Sequence, residues 1–136
     1  MERYVGLDFS PAAIAKAETL RRGRFVVGDA RAPEIYREVE HEAVVCTEVL
    51  EHIQDDLLVV SRFGAGKRCL CSVPNFPYES HVRHFRHAGE VKERYGPYFG
   101  DCDVMTFKSP ISDTANIEEY EYFLLDGVRN GELHVP

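Results

Sequence analysis

The sequence predicts an α/β fold built on a parallel sheet and finished by an antiparallel hairpin. Three observations carry this. Short apolar runs alternate with helix-forming stretches over the first two thirds of the chain, the pattern of strand–helix units in a parallel sheet. Several of these runs end on a polar or acidic residue, at Asp8, Asp29 and Thr47, and the rim beyond the strand ends is where open α/β sheets bind ligands. Near the C-terminus two strand-like runs follow one another with no helix between them. All 136 residues are expected to form one domain, residues 1–136, with a modest core.

The elements follow in order. Tyr4 to Leu7 is a short apolar segment ending in Asp8. Ser10 is a good N-cap and Pro11 suits the first helical position. Ala12, Ala13, Ala15 and Ala17 favour the helix, Ile14 and Leu20 supply apolar anchors, Arg21 and Arg22 complement the C-terminal dipole, and Gly23 ends the helix. Arg24 to Gly28 is a second strand, stopping at Asp29. Pro33 opens a short helix in the run P-E-I-Y-R-E-V-E-H-E. Ala43 to Cys46 is the third strand, a continuous apolar run of the kind buried on both faces. The next helix is expected to start just after it and to run through Leu57, Leu58 and Val60 until Gly64-Ala65-Gly66 breaks it. Lys67 to Val73 is strand four, stopped by Pro74-Asn75. Phe76 to Phe85 is a loop rich in aromatic residues and histidine, and a helix is expected from about His87 to Tyr95, closed by Gly96-Pro97. Asp103 to Lys108 and Glu119 to Leu125 form the final pair of strands around a connection near Ser109 to Asn116. The tail from Arg129 to Pro136 is expected to fray.

Composition narrows the function. A net charge of -7 argues against binding nucleic acid by bulk electrostatics, although a local basic patch would escape that argument. No apolar run is long enough to cross a bilayer, and the N-terminus enters a strand directly rather than a signal peptide. Cys46, Cys69 and Cys71 sit in strand-like runs, where a thiol behaves as a small hydrophobe. With Cys102 they suggest a reducing, cytoplasmic setting. Cys69-Leu70-Cys71 is read as two same-face positions of one buried strand rather than as a metal site.

The stretch from Ala43 to Ile53, A-V-V-C-T-E-V-L-E-H-I, turns abruptly acidic after its strand. On a helix, Glu48, Glu51 and His52 at i, i+3 and i+4 would share one face just beyond the strand end. Two carboxylates and an imidazole suit Mg²⁺, Mn²⁺ or Fe²⁺. The plainer reading is that acidic residues favour a helix N-terminus. His81, Arg83, His84 and His87 form a cationic cluster among Phe76, Tyr78 and Phe85. They could be a lid over substrate, with His81 or His84 as a general base near neutral pH, or a solvated loop covering the sheet rim. Tyr120, Tyr122 and Phe123 are assigned to core and sheet surface.

The order of these motifs resembles the class I S-adenosylmethionine-dependent methyltransferases, especially the small-molecule type of the ubiquinone-biosynthesis O-methyltransferases. The resemblance runs from Tyr4 to about Phe85 and implies a Rossmann-like methyltransferase sheet. By it, Tyr4-Val5-Gly6-Leu7-Asp8-Phe9-Ser10 is similar to the family's second strand, whose terminal acid, here Asp8 beside Phe9, binds both ribose hydroxyls. Gly28-Asp29-Ala30 resembles the adenine-reading segment, and Cys46-Thr47-Glu48 the strand end that contacts the cofactor's amino acid moiety. The resemblance also implies a small-molecule acceptor. Some relatives with a run like Glu48, Glu51 and His52 use it for a divalent ion, and RNA terminal ribose 2′-O-methyltransferases add a histidine from the next loop, here His81 or His84.

The family's opening strand and glycine-rich turn, roughly E-x-G-x-G-x-G, have no counterpart before Tyr4. That strand is normally central, so its absence should leave unpaired backbone between the strands ending at Asp8 and Thr47. The flanking strands could close up, a second copy could fill the gap as a homodimer, or a partner chain could supply the missing part. Two functions follow. One is methyl transfer to oxygen or nitrogen of a small acceptor, at reduced efficiency. The other is a non-catalytic subunit that keeps the fold and pairs with itself or a partner.

Overall fold

The computed structural model of the chain describes residues 4–20, 23–108 and 120–131. They fall into two compact units, Met1–Glu40 and His41–Pro136.

In the first unit, β1 (Val5–Asp8), α1 (Pro11–Glu18), β2 (Arg24–Val27) and α2 (Pro33–Glu38) follow one another as expected. β1 and β2 pair in parallel, from Val5 with Arg24 to Asp8 with Val27. Ser10 caps α1 by accepting from the Ala13 N–H at 3.2 Å, while Asp8 Oδ1 accepts from the Ser10 N–H at 2.8 Å and shapes the turn between them. Ile14 is the buried anchor of α1. Leu20 is not one: the helix stops at Glu18, and Leu20 is exposed. Arg21 and Arg22 lie outside the described residues. Gly23 does not end the helix, which stops at Glu18; its reason is tertiary, since a Cβ there would stand 2.6 Å from the Tyr4 carbonyl oxygen.

The second unit holds β3 (Ala43–Thr47), a 3₁₀ turn at Leu50–His52, α3 (Asp56–Arg62), β4 (Arg68–Pro74), α4 (Ala88–Tyr95), β5 (Phe99–Lys108) and β6 (Glu121–Arg129). Its sheet has the order β3-β4-β6-β5, with β3 and β4 parallel and β6 antiparallel to both its neighbours. This is the expected parallel sheet with a terminal hairpin. The connection from Ser109 to Glu119 and the tail from Glu132 to Pro136 lie outside the described residues.

The final strands run further than their sequence pattern suggests. β5 begins at Phe99 and shifts register between Phe99 and Cys102. β6 continues to Arg129, which is buried instead of frayed. The reason is tertiary. The Arg129 guanidinium donates to the carbonyls of Val60, Ser61, Tyr98 and Asn130, so it satisfies acceptors at the end of α3.

The core lies on one face of this sheet. Cys46, Cys69, Cys71, Val73, Phe123 and Leu125 are buried there, as are Val59, Val60 and Phe63 from the α3 region and Val91 and Tyr95 of α4. Cys46 stands opposite Cys71 in the parallel ladder. The hydrogen bond with Cys46 and burial hold the Cys71 thiol well above its usual range, and burial pushes Cys69 up to about 12. These are packing thiols rather than nucleophiles. The opposite face of the same strands carries exposed Val45, Met105, Phe107 and Val128. β1 and β3 each have one strand partner among the described residues.

α3 and α4 are joined by a buried charge. Asp56, at the start of α3, is fully buried and accepts two bonds from Arg94, at 2.8 and 2.6 Å, and one from the Tyr95 hydroxyl at 2.6 Å. Arg83 approaches the same carboxylate at 3.2 Å. Charge and hydrogen bonds together repay the desolvation that a lone buried carboxylate could not.

Candidate functional site

β3 ends at Thr47, and Glu48 adopts a left-handed backbone with φ 56°. That turn replaces the helix expected to begin here. The chain makes only a 3₁₀ turn before α3 starts at Asp56. Glu48 and Glu51 therefore do not share a helical face. Glu48 is exposed and turned toward β4, where its Oε1 accepts from the Ser72 hydroxyl at 3.0 Å. Ser72 can do this because it is the register partner of Thr47.

Glu51 takes the opposite course. Leu50 is wholly buried and fixes the turn, and Glu51 follows it inward to zero exposure. Neither Glu51 carboxylate oxygen has a hydrogen-bond partner among the described residues. Burial, with the neighbouring Glu48 charge adding to it, raises its pKa to about 7. A buried carboxylate without partners is costly, and such groups mark sites where something else is meant to bind.

Two imidazoles face it. His52 Nε2 lies 3.9 Å from Glu51 Oε1, and the His52 and His81 rings meet edge to face with centroids 4.8 Å apart. The Nδ1 of His52 lies 3.0 Å from the Ser80 carbonyl oxygen, and the Nδ1 of His81 lies 3.2 Å from that of Phe76. A carbonyl can only accept, so each Nδ1 is the donor in these contacts, and in the uncharged form of either ring the lone pair is then at Nε2. One ligand atom each from Glu51, His52 and His81 lies within 4.8 Å of the others. A carboxylate with two imidazole nitrogens, each ring held by a carbonyl, is a donor set that fits a divalent transition metal or Mn²⁺.

Aromatic side chains wall the centre. Phe76 packs against Tyr120 at 4.4 Å, Tyr122 at 5.5 Å and His81 at 5.7 Å between centroids, and Tyr78 lies 5.5 Å from His81. Of the three aromatics assigned to core and sheet surface, Phe123 is core. Tyr122 lies on the other face of β6, as sheet surface, and both it and Tyr120 stand beside this centre through Phe76. Burial, then the charges of Glu48 and Glu51, hold the Tyr122 hydroxyl above its usual range.

Of the predicted loop histidines, the fold brings His81 to the acidic turn. His84 is exposed and lines an open groove with Leu57, Phe85 and Glu93. His87 is the N-cap of α4, its Nδ1 accepting from the Glu90 N–H at 3.3 Å. In the first unit, Asp8 ends β1 with its carboxylate exposed, and Phe9 is 83% exposed. Asp29 is engaged: Arg31 binds it through the backbone N–H and the guanidinium at 2.7–3.0 Å and holds it below the usual carboxylate range. Ala30 accepts from the Tyr36 hydroxyl at 2.8 Å through its carbonyl. Thr47, in the second unit, is exposed at the end of β3.

Residues 1–63 match the family described as "methyltransferase domain". No curated protein matches the chain. Solved structures do. A SAM-dependent methyltransferase from Anabaena variabilis is 19% identical with a TM-score of 0.63, over 93% of this chain and 68% of that one. A protein studied for conversion of a disulfide bond into a thioacetal group during echinomycin biosynthesis is 18% identical with a TM-score of 0.62, over 93% and 66%. The N-methyltransferase NodS from Bradyrhizobium japonicum is 15% identical with a TM-score of 0.53, over 93% and 74%. The fold is that of the Rossmann-like class I methyltransferases, and the methyltransferase-domain match covers the segment that carries Asp8, Asp29, Thr47, Glu51 and His52. The chain spans about two thirds of the first two of these structures. Among the described residues no helix is long and apolar enough to cross a membrane.

Proposed function

We propose that the chain serves S-adenosylmethionine-dependent methyl transfer to an oxygen or nitrogen of a small acceptor, at a centre that takes a divalent cation on Glu51, His52 and His81. The observation that carries the cation is the buried Glu51 carboxylate, without a hydrogen-bond partner among the described residues and with one ring nitrogen each of His52 and His81 within 4.8 Å. The cofactor reading is supported by the family match over residues 1–63 and by the chemistry of Asp8. That carboxylate spends one oxygen on the Ser10 N–H and stays exposed, with acceptor capacity left for a vicinal diol. Thr47 offers main-chain contacts at the end of β3. Bound S-adenosylmethionine supplies an activated methyl group, and the chain's part is to hold and orient the reactants. A cation on the three ligands would draw an acceptor hydroxyl toward it and lower its pKa. Without a cation, the imidazoles of His52 and His81 are candidate proton acceptors at the centre. His84 stands apart from it, so its part in proton transfer would require the loop to rearrange. We place the protein in the cytoplasm on the strength of its buried, unbridged thiols.

Two observations favour a second reading, a non-catalytic subunit that pairs with itself or a partner. The Asp29 carboxylate is already taken by Arg31, and the sheet face with Val45, Met105, Phe107 and Val128 is exposed. Calorimetry with S-adenosylhomocysteine, with and without Mn²⁺, separates the two. Methyl transfer requires binding that Asp8→Ala abolishes. Absence of binding at millimolar ligand would leave the subunit reading standing.

A further inference from the structure

We propose that Arg83 is the positioning residue of the Glu51–His52–His81 centre, the side chain that locks the loop bearing His81 onto the turn bearing Glu51 and His52. This deepens the cation reading of that centre and rests on it for its functional meaning, though not for its geometry.

The centre is assembled from two segments far apart in sequence. Glu51 and His52 belong to the 3₁₀ turn after β3, and His81 to the loop after β4. In the 3₁₀ turn the Leu50 carbonyl accepts one long bond, from the Ile53 N–H at 3.4 Å, and a carbonyl has a second lone pair to offer. Arg83 takes up that capacity and reaches the two carbonyls that follow the turn. Its Nη1 donates to the Leu50 carbonyl at 2.6 Å and to the Ile53 carbonyl at 2.5 Å, and its Nη2 donates to Gln54 at 2.9 Å. The same guanidinium stands 3.2 Å from Asp56, which Arg94 and Tyr95 hold in place. One planar group thus ties the loop both to the turn and to the α3–α4 framework. Its side chain is only 13% exposed, so these bonds are sheltered from competing water.

The position of Arg83 in the loop gives this its consequence. Next to it, the Val82 N–H donates to the Glu51 carbonyl at 2.8 Å, and two residues earlier the Ser80 carbonyl accepts from His52. Those contacts set the distance of His81 from His52 and fix the tautomer of His52. Both hold only while the loop is anchored, and Arg83 is the side chain that anchors it. Lysine cannot substitute, because a compact ammonium does not reach three carbonyls and a carboxylate in one plane.

The test compares Arg83→Lys and Arg83→Met with the full chain, using Arg86→Lys as a neighbouring control whose side chain bonds only Glu90 among the described residues. Two readouts are taken on folded protein. One is the proton NOE between the His52 and His81 rings without metal, and the other is Mn²⁺ affinity from the EPR signal of the free ion. The wild type and the control should show the NOE. Both Arg83 variants should lose it and bind Mn²⁺ roughly 10- to 100-fold more weakly, the usual effect of losing an outer-sphere support. Wild-type NOE and affinity in a folded Arg83→Lys or Arg83→Met would overturn the proposal, as would a wild type lacking the NOE. A wild type that shows the NOE but takes no Mn²⁺, with variants that lose it, would remove the cation reading and keep the positioning role.

Discussion

Glu51 is the residue on which the site turns, and its burial has a measurable sign. Its folded-state pKa of about 7 lies above the ordinary 4.5. Between those values the folded chain keeps a proton that the unfolded chain releases, so stability falls as pH rises through this window and levels off above it. The full cost is about 3 kcal/mol. Glu51→Gln keeps the shape without the charge. In chelator it should match the wild type near pH 4 and exceed it by up to about 3 kcal/mol near pH 8 in urea unfolding. Saturating Mn²⁺ should raise wild-type stability at the higher pH and leave Glu51→Gln unmoved. Equal differences at both pH values would mean that the carboxylate has no such cost. Glu51 and His52 stood out in the sequence because the acidic run follows an apolar strand abruptly. The geometry was not. Helical spacing grouped Glu48 with them, but the left-handed backbone at Glu48 sends that side chain to Ser72 instead. No local spacing points from Arg83 to the carbonyls of residues 50 to 54.

At the scale of elements, the tie between α3 and α4 depends on Asp56. Its buried carboxylate compensates Arg94, which is partly exposed, and neighbours the mostly buried Arg83. Removing one partner of such a network strands the others without a counter-charge. Asp56→Ala should therefore cost about 3–5 kcal/mol in denaturant unfolding, far more than an exposed pair such as Arg86–Glu90. A loss below about 1 kcal/mol would mean that water already solvates the pair. The strands and helices themselves were readable from apolar runs, the Ser10 cap, the Pro11 and Pro33 starts and the Gly64–Gly66 break. Their ends were not. β6 outlasts its apolar pattern because Arg129 finds carbonyl partners at the end of α3, and α1 stops before Leu20, which stays exposed.

At the scale of the whole chain, the exposed face of Val45, Met105, Phe107 and Val128, and the edge of β3 that has no strand partner among the described residues, are the kind of surface that proteins in water cover. Sedimentation over a wide concentration range should show self-association, weakened by Val45→Lys on the β3 edge. A monomer throughout would mean that copies of the chain do not cover that face.

By itself the sequence determined the α/β class, the order of the elements and the acidic turn after β3, because these follow from short-range periodicity, capping and turn chemistry. Tertiary structure alone decided that His81 rather than His84 meets that turn, that Glu51 is buried without a hydrogen-bond partner among the described residues, and that the Arg83 guanidinium bonds the carbonyls beside it. Those outcomes depend on contacts between residues some thirty positions apart, and no local pattern in a chain encodes which distant carbonyl a guanidinium will find.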